Sequence, residues 1–185
     1  MRLCLSRSLS RSVCRGLLLL GCVLPLGVAA QGYADEGRDW GVRPSPTLRR
    51  APYTAPTPIE IPGAAVVDTQ SLRALLASAD APLLIDVLSA EGRLSLPGSL
   101  WISGAGGGSN FFDPVQVAFG DALARITQGN KDRMMVFFCA SVQCWLSYNA
   151  ALRASVLGYT RVLWYRGGIE SWRAAMLALE PLQSR

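Results

Sequence analysis

The sequence predicts an α/β domain built around a mainly parallel, five-stranded sheet. From Ala64 onward, short apolar segments alternate with segments in which apolar residues recur at helical spacing. Two of the apolar segments, 83–87 and 133–138, contain almost no polar residues, as is typical of strands covered on both faces. Such alternation implies right-handed βαβ crossovers, and ligands of these sheets bind beyond the carboxyl ends of the strands.

Five apolar segments are predicted to be strands, and the strongest signal is that of the segment ending just before Cys139. Asp86 is the one polar residue of its strand. It is either a buried acid that is hydrogen-bonded near the site or a cap of the strand end, and we expect a structural role. The predicted strands are Ala65–Val67, Leu83–Val87, Ser99–Ile102, Arg133–Phe138 and Val162–Tyr165.

Four helices are predicted from cap residues and apolar stripes. Asp68 and Asp113 are N-cap candidates, because a short acidic side chain accepts hydrogen bonds from the free amides of the first turn. Gly158 indicates the end of the third helix, since glycine adopts the left-handed conformation readily. The predicted helices are 69–79, 114–126, about 145–157 and one that begins at the Gly167-Gly168 turn.

The glycine-rich loop from Gly104 to Gly108 resembles a phosphate-binding loop only superficially. It lacks the lysine of GxxxxGK[ST] and the helix context of GxGxxG. We therefore expect this loop to be a flexible rim.

The first 30 residues are predicted to be a secretory signal peptide. Four arginines precede the apolar stretch Leu17–Ala30, and small residues at the end of that stretch suit cleavage after Ala30. The stretch has 14 residues and contains Pro25, whereas a membrane span needs about 20 apolar residues. The alternatives are a membrane anchor and lipidation at Cys22. The expected location is the periplasm, with no membrane attachment after cleavage.

Residues 31–63 are predicted to be a proline-rich leader, and residues 64–182 the domain. Six prolines between 44 and 62 are incompatible with a helix or an inner strand there. We expect an extended or disordered spacer. Its aromatic residues Tyr33, Trp40 and Tyr53 are candidates for docking on the domain or on a partner.

Charge and composition exclude several function classes. Removal of the signal peptide leaves 14 basic against 13 acidic residues, a net charge of +1, which argues against a nucleic-acid partner. The chain has no histidine, so Ser-His and Cys-His nucleophile activation is excluded. Two thiols without histidine make a poor zinc site. We predict no metal and no cofactor.

Cys139 is the predicted working residue. Two cysteines remain after signal cleavage, Cys139 and Cys144, and they flank a strand-to-helix loop. Amides of the loop and the N-terminus of the following helix supply partial positive charge, which lowers a thiol pKa and stabilises an anionic persulfide. The alternative is a buried cysteine that packs as a small apolar residue. The candidate substrate-binding residues are Ala140, Ser141, Val142, Gln143 and Arg166.

The two cysteines leave several kinds of chemistry open. A loop of this length allows their sulfur atoms to meet, so they could form a structural disulfide, a redox couple, or a nucleophile with a resolving thiol. Arg166, just before the Gly167-Gly168 turn, is either an anion-binding group or a solvated surface charge.

Several segments, taken together and in order, resemble a rhodanese domain over residues 64–180. This resemblance implies a three-layer α/β fold and sulfur transfer through a persulfide on Cys139. The residues that carry it are Leu84-Ile85-Asp86-Val87, Leu96-Pro97-Gly98-Ser99, Val136-Phe137-Phe138-Cys139-Ala140-Ser141, Leu157-Gly158-Tyr159 and Gly167-Gly168-Ile169-Glu170-Ser171-Trp172.

A narrower resemblance concerns the segment from Cys144 to Ala151, together with Trp164-Tyr165 and the proline-rich leader. These residues are similar to the PQQ-dependent catabolism-associated CXXCW motif proteins. The resemblance implies an exported protein that works beside a PQQ-dependent dehydrogenase system, without itself binding the quinone. In this chain four residues, not two, separate the cysteines, and residues 140–144 contain no Arg or Lys.

Three functional hypotheses follow from these observations. The first is a sulfur carrier in which Cys139 takes sulfur from a small donor. The second is thiol–disulfide exchange between Cys139 and Cys144 and a periplasmic thiol protein. The third is a non-catalytic accessory module for a periplasmic quinoprotein system, favoured by the loop without cations.

Overall fold

A computed structural model describes residues 33–182 of the chain. The predicted signal peptide lies outside the described residues. Seven strands and four helices follow a short 3-10 turn at Tyr33–Asp35. The strands are β1 (Ala65–Val67), β2 (Leu83–Asp86), β3 (Leu94–Ser95), β4 (Leu100–Trp101), β5 (Met135–Phe138), β6 (Val162–Tyr165) and β7 (Glu180–Pro181). The helices are α1 (Thr69–Leu76), α2 (Pro114–Thr127), α3 (Trp145–Val156) and α4 (Gly168–Ala174).

Five strands form one parallel sheet in the order β1-β6-β5-β2-β4, which confirms the predicted fold class. The short strands β3 and β7 pair antiparallel as a separate ribbon that the sequence did not predict. Among the residues that the structure describes, no helix is long and apolar enough to cross a bilayer.

Two apolar layers cover the sheet, and β5 contributes to both. Met135 and Phe137 pack with α2 and α3 on one face, whereas Val136 and Phe138 pack with α1 and α4 on the other. All four side chains are buried, because successive residues of a strand point to opposite faces of the sheet. The same alternation directs Cys139 to the α3 face, where it joins the first of these layers.

The helix boundaries follow their cap signals. Asp68 and Asp113 both accept a hydrogen bond from an amide of the first turn, at Ser71 and Gln116 respectively. Gly158 has a φ of +86° immediately after α3. The predicted first helix was three residues too long, since α1 ends at Leu76.

The leader is not a disordered spacer, which corrects that expectation. Leu48 and Ile61 are buried in the core layer on the α3 face. Tyr148 on α3 holds Ser45, since its hydroxyl accepts from Ser45 N (2.8 Å) and donates to Ser45 O (2.8 Å). The prolines still keep the segment extended, and the extended chain runs across the domain instead of away from it.

The glycine-rich loop is also packed, and the expectation of a free rim was wrong. Asn149 Nδ2 donates to Gly106 O (2.8 Å), and Arg153 Nη2 donates to Gly107 O (2.6 Å). A Cβ at Gly106 would lie 1.9 Å from Leu146 O. The glycine is needed here because the loop backbone touches the backbone of α3.

Candidate thiol site

The candidate site is the thiol loop, residues 139–144, which lies between β5 and α3. Cys139 follows the central strand of the sheet at its carboxyl end, and Cys144 is the residue before the first turn of α3. The sulfur atoms of Cys139 and Cys144 are joined in a disulfide whose Cα atoms are 6.4 Å apart. This separation lies within the usual span of a disulfide, about 4.4–6.8 Å. The structure therefore brings together the two cysteines that the sequence singled out.

Both sulfurs are shielded from water. Cys139 is 1% exposed and Cys144 is 8% exposed. Cys139 packs against apolar side chains, yet one polar group reaches it: Ser147 Oγ lies 3.1 Å from Cys139 Sγ. A disulfide sulfur carries no proton, so Ser147 is the donor in this contact.

Ser147 and Trp164 are site residues that the sequence analysis did not identify. Trp164 Nε1 donates to Ser147 Oγ (3.0 Å), which leaves the serine hydrogen directed toward Cys139 Sγ or Cys144 O. Both residues are buried. Ser147 lies three positions after Cys144, so helical spacing places it on the same side of the helix. That spacing was the one signal in the sequence.

The amides at the α3 end of the thiol loop, from Gln143 to Trp145, are occupied by partners other than a sulfur anion. Trp145 N, in the first turn of α3, donates to Tyr53 O (2.9 Å) of the leader. Cys144 N donates to Ser141 O (3.0 Å), and Gln143 N donates to Ser141 Oγ (3.3 Å). In the oxidised protein the loop is thus bonded to itself and to the leader.

The predicted substrate-binding residues Ala140, Ser141, Val142 and Gln143 form the outer part of the thiol loop. Their carbonyl groups accept hydrogen bonds from α4 on one side and from the leader on the other. Glu170 N at the start of α4 donates to Ala140 O (2.9 Å), and Ala55 N of the leader donates to Gln143 O (3.0 Å).

The segment Tyr53–Thr57 of the leader lies along the thiol loop like an added strand. Thr54 forms an antiparallel bridge with Cys144. Thr57 donates to Val142 O through both its N–H (3.2 Å) and its hydroxyl (2.6 Å). This segment covers the loop edge that would otherwise face a substrate.

Arg166 is neither a solvated surface charge nor free to bind an anion in this state. It is 2% exposed, and its guanidinium donates to Glu36 O (2.7 Å), Arg38 O (2.9 Å) and Thr57 O (3.0 Å), and to the Thr57 hydroxyl (3.0 Å). Burial lowers the pKa of Arg166, while nearby Asp39 and Asp35 act in the opposite direction. All these acceptors belong to the leader.

A recess of about 410 Å³ opens beside the thiol loop, between the loop and the leader. It is lined by Ala34, Asp35, Trp40, Thr54, Ser141, Val142, Gln143 and Glu170. Two of the lining residues carry carboxylates and none is basic. A larger recess, about 590 Å³, lies at the far edge of the sheet between β4 and α2 and includes neither cysteine.

Asp86, at the end of β2, is buried and structural, as expected. Arg93 approaches both of its carboxylate oxygens at 2.7 Å, and Leu88 N donates to it at 3.0 Å. Ser95 Oγ makes a further hydrogen bond to this carboxylate. Asp86 thus ties the main sheet to the small ribbon through Ser95 of β3. Within residues 33–182 no cluster of three or more potential metal ligands is present.

A comparison with protein families identifies the domain. The model of the rhodanese-like domain matches residues 68–175. The chain belongs to the rhodanese-like domain family. No match was found among curated protein sequences.

Several solved structures are similar to this chain at low sequence identity. Thiosulfate sulfurtransferase from Pseudomonas aeruginosa is 19% identical, with a TM-score of 0.49 over 66% of this chain and 21% of that one. A variant of EanB in complex with hercynine is 18% identical, with a TM-score of 0.50 over 64% of this chain and 32% of that one. Polysulfide-sulfur transferase from Wolinella succinogenes is 14% identical, with a TM-score of 0.45 over 65% of this chain and 81% of that one. The rhodanese-like chain thus spans about a fifth and a third of the first two proteins.

Proposed function

We propose that this rhodanese-like protein is exported and uses Cys139 and Cys144 for sulfur transfer coupled to thiol–disulfide exchange. The observation that carries the proposal is the bond between the two sulfurs at the strand end. The resemblance to rhodaneses assigns the persulfide sulfur to Cys139. A second thiol within bonding distance gives such a persulfide a way to be resolved.

The proposed catalytic cycle has three steps. A dithiol reductant gives two electrons and two protons to the disulfide and becomes a disulfide itself. The Cys139 thiolate then attacks the sulfane sulfur of a donor, forms an S–S bond, and displaces the rest of the donor as an anion. Finally the Cys144 thiolate attacks Cys139 Sγ, HS⁻ leaves, and the Cys139–Cys144 disulfide forms again.

Two features of the site support a reactive Cys139 after reduction. Ser147 Oγ, 3.1 Å from Cys139 Sγ, can donate its hydrogen to a thiolate there, and Trp164 holds it in that orientation. The N-terminus of α3, a helix of 12 residues, adds partial positive charge beside the loop. Both stabilise a thiolate at Cys139, whereas the burial of this residue acts in the opposite direction.

The recess beside the loop favours a protein thiol or a neutral sulfur donor over a small dianion. Its lining includes the carboxylates of Asp35 and Glu170 and no basic side chain. Like charges disfavour the approach of an anionic donor. Arg166, which could offset them, is bonded to the leader.

Export and partner rest on the sequence resemblances alone. The first 30 residues have the features of a signal peptide, which supports a periplasmic location where disulfides persist. The similarity of residues 144–151 to the CXXCW motif proteins supports a role beside a PQQ-dependent dehydrogenase system. A periplasmic thiol protein or a small sulfur donor is the proposed direct partner.

The first experiment is mass spectrometry of the intact protein isolated from a periplasm, followed by titration with glutathione buffers. We expect cleavage after Ala30, a bridged pair, and reversible reduction by two electrons.

Cyanolysis after incubation of the reduced protein with a sulfur donor should release thiocyanate from Cys144→Ser, in which the persulfide cannot be resolved. Cys139→Ser is the matched control and should release none. Equal release from both variants would contradict the role of Cys139.

A second candidate, a non-catalytic accessory module, is favoured by the burial of Cys139 beneath the leader. In that case the disulfide is purely structural. Cys139→Ala would then leave the activity of the dehydrogenase system unchanged in a host that expresses it, and the pair would resist every glutathione buffer.

A further inference from the structure

The leader is fastened to the domain at points away from the thiol loop. The Glu36 carboxylate accepts from Thr69 N (3.0 Å) and from the Thr69 hydroxyl (2.6 Å) at the start of α1. On α3, Asn149 accepts from Arg49 N (3.0 Å) and donates to Arg49 O (2.8 Å). Together with the bonds of Tyr148 to Ser45, these contacts are polar and localised.

Two of these three fastening points lie on α3, the helix that begins directly after Cys144. Tyr148 and Asn149 lie in the first half of α3, directly after Cys144. The leader segment Tyr53–Thr57 runs along the thiol loop, and the leader also encloses Arg166. The leader also buries Leu48 and Ile61 in the core layer. A peripheral segment with only a few buried apolar side chains opens at lower free energy than the core.

The disulfide and the leader constrain the same residue from two sides. Cys144 is bonded to Cys139 through its sulfur and bridged to Thr54 through its backbone. Reduction of the disulfide gives the thiol loop more conformational freedom. Docking of the leader on the reduced loop must remove this freedom, which costs free energy. The leader therefore binds the oxidised loop more tightly than the reduced loop, and by linkage a docked leader favours the disulfide.

We propose that residues 33–62 act as a strap that closes over the thiol pair, and that strap docking and the Cys139–Cys144 disulfide stabilise each other. In the oxidised protein the strap is docked and shields the two cysteines from solvent. Lifting the strap exposes the disulfide to a reductant, and reduction in turn loosens the strap and frees Arg166. The inference concerns the regulation of the site and takes its physiological meaning from the proposed function.

The test compares two Tyr→Phe variants of the full mature protein. Tyr148→Phe removes both strap bonds to Ser45 but keeps the ring that packs against Trp145 and Trp164. Tyr159→Phe is the matched control, because its hydroxyl contacts Thr127 and not the strap. The rate of disulfide reduction by a water-soluble phosphine is followed by alkylation and mass spectrometry. We expect Tyr148→Phe to be reduced about tenfold faster than the wild type, and the control within about twofold.

A second measurement uses the wild type alone, so that the outcome does not depend on how well a variant folds. Amide hydrogen exchange at Ser45, Arg49 and Ala55 should be about tenfold faster in the reduced than in the oxidised protein. Equal exchange in the two states, or equal reduction rates in the two variants, would overturn the proposal that strap docking and the disulfide stabilise each other. A pair that no glutathione buffer reduces, but that the phosphine still reduces faster in Tyr148→Phe, would end the proposed function and leave the strap standing.

Discussion

Two arginines are buried within residues 33–182, and their charges are compensated in different ways. Arg153, on α3, lies 2.9 Å from the carboxylate of Asp113 and also donates to Gln116 Oε1 (2.8 Å). Arg166, after β6, donates to three leader carbonyls and one hydroxyl, and its guanidinium lies 4.9 Å from the centre of the Trp40 ring. One charge is paired with an opposite charge inside the domain, and the other is solvated by neutral oxygens of the strap.

The contacts of Arg153 are fixed within the domain, whereas those of Arg166 are released when the strap undocks. Arg153 joins α3 to the N-terminus of α2, so breaking its contacts means unfolding the domain. Arg166 keeps its partners only while the strap is docked. A buried guanidinium left without acceptors is costly, so Arg166 stabilises the docked strap in the closed state and becomes exposed to the site when the strap lifts.

The largest effect is expected from Asp113→Asn, which removes the counter-charge of Arg153. Asparagine can still cap α2 through Gln116 N, but its NH2 group replaces the oxygen that faces Arg153 and accepts from Ser109 N and Asn110 N. We expect about 3 kcal/mol lower stability in urea at neutral pH. Asp68→Asn is the matched control, since Asp68 caps α1 on the surface through Ser71 N. The control should cost less than about 1 kcal/mol. Similar losses in both variants would show that Arg153 does not depend on its carboxylate.

The same pair predicts the pH dependence of stability. Burial acts to raise the pKa of Asp113, but hydrogen bonds from Arg153 and from the backbone of Ser109, Gln116 and Asn110 outweigh it and hold this pKa well below its usual value. A depressed pKa stabilises the fold above the unfolded-state pKa, about 4 for Asp, and the contribution disappears as pH falls through the lower folded-state pKa. The stability difference between wild type and Asp113→Asn should therefore shrink below about pH 4. Urea unfolding between neutral and acidic pH checks this, and a constant difference would contradict it.

A smaller global effect is expected from Arg166→Met, which keeps the volume but removes the donors to the strap. The domain should lose about 1–2 kcal/mol, less than in Asp113→Asn. The strap should lose far more of its protection, since the carbonyls of Glu36, Arg38 and Thr57 lose their partner. Hydrogen exchange resolved by residue separates the two effects. Uniform loss of protection across β5 and the strap would contradict the distinction between the two arginines.

The smallest effect is expected from Trp40→Leu. The ring lies between Arg166 (4.9 Å) and Arg38 (5.5 Å), and the cation–π contacts are worth about 1 kcal/mol together. Strap amides should exchange a few-fold faster, with global stability nearly unchanged. Trp40→Phe, which keeps an aromatic face, is the control and should lie closer to the wild type.

The sheet and the position of the thiol loop were predictable because their signals are local. The apolar segment before Cys139 and the cap at Gly158 act over a few residues, and β5 and the end of α3 lie as predicted. The ribbon of β3 and β7 was missed because each strand is two residues long and pairs only through tertiary contact. The role of Ser147 depends on Trp164, which is brought beside it by the neighbouring strand.

By itself, the sequence determined the α/β class, the chain order of the four helices and of the five strands of the main sheet, and the placement of two cysteines around a loop at a strand end. Hydrophobic periodicity and cap chemistry sufficed for this, because both operate within one or two turns of chain. The tertiary structure decided that the leader docks, that Arg166 is buried beneath it, and that the thiol pair is covered. These outcomes depend on hydrogen bonds between groups far apart in the sequence, such as Arg166 with Glu36 and Thr57, 130 and 109 positions away. No local pattern specifies such partners.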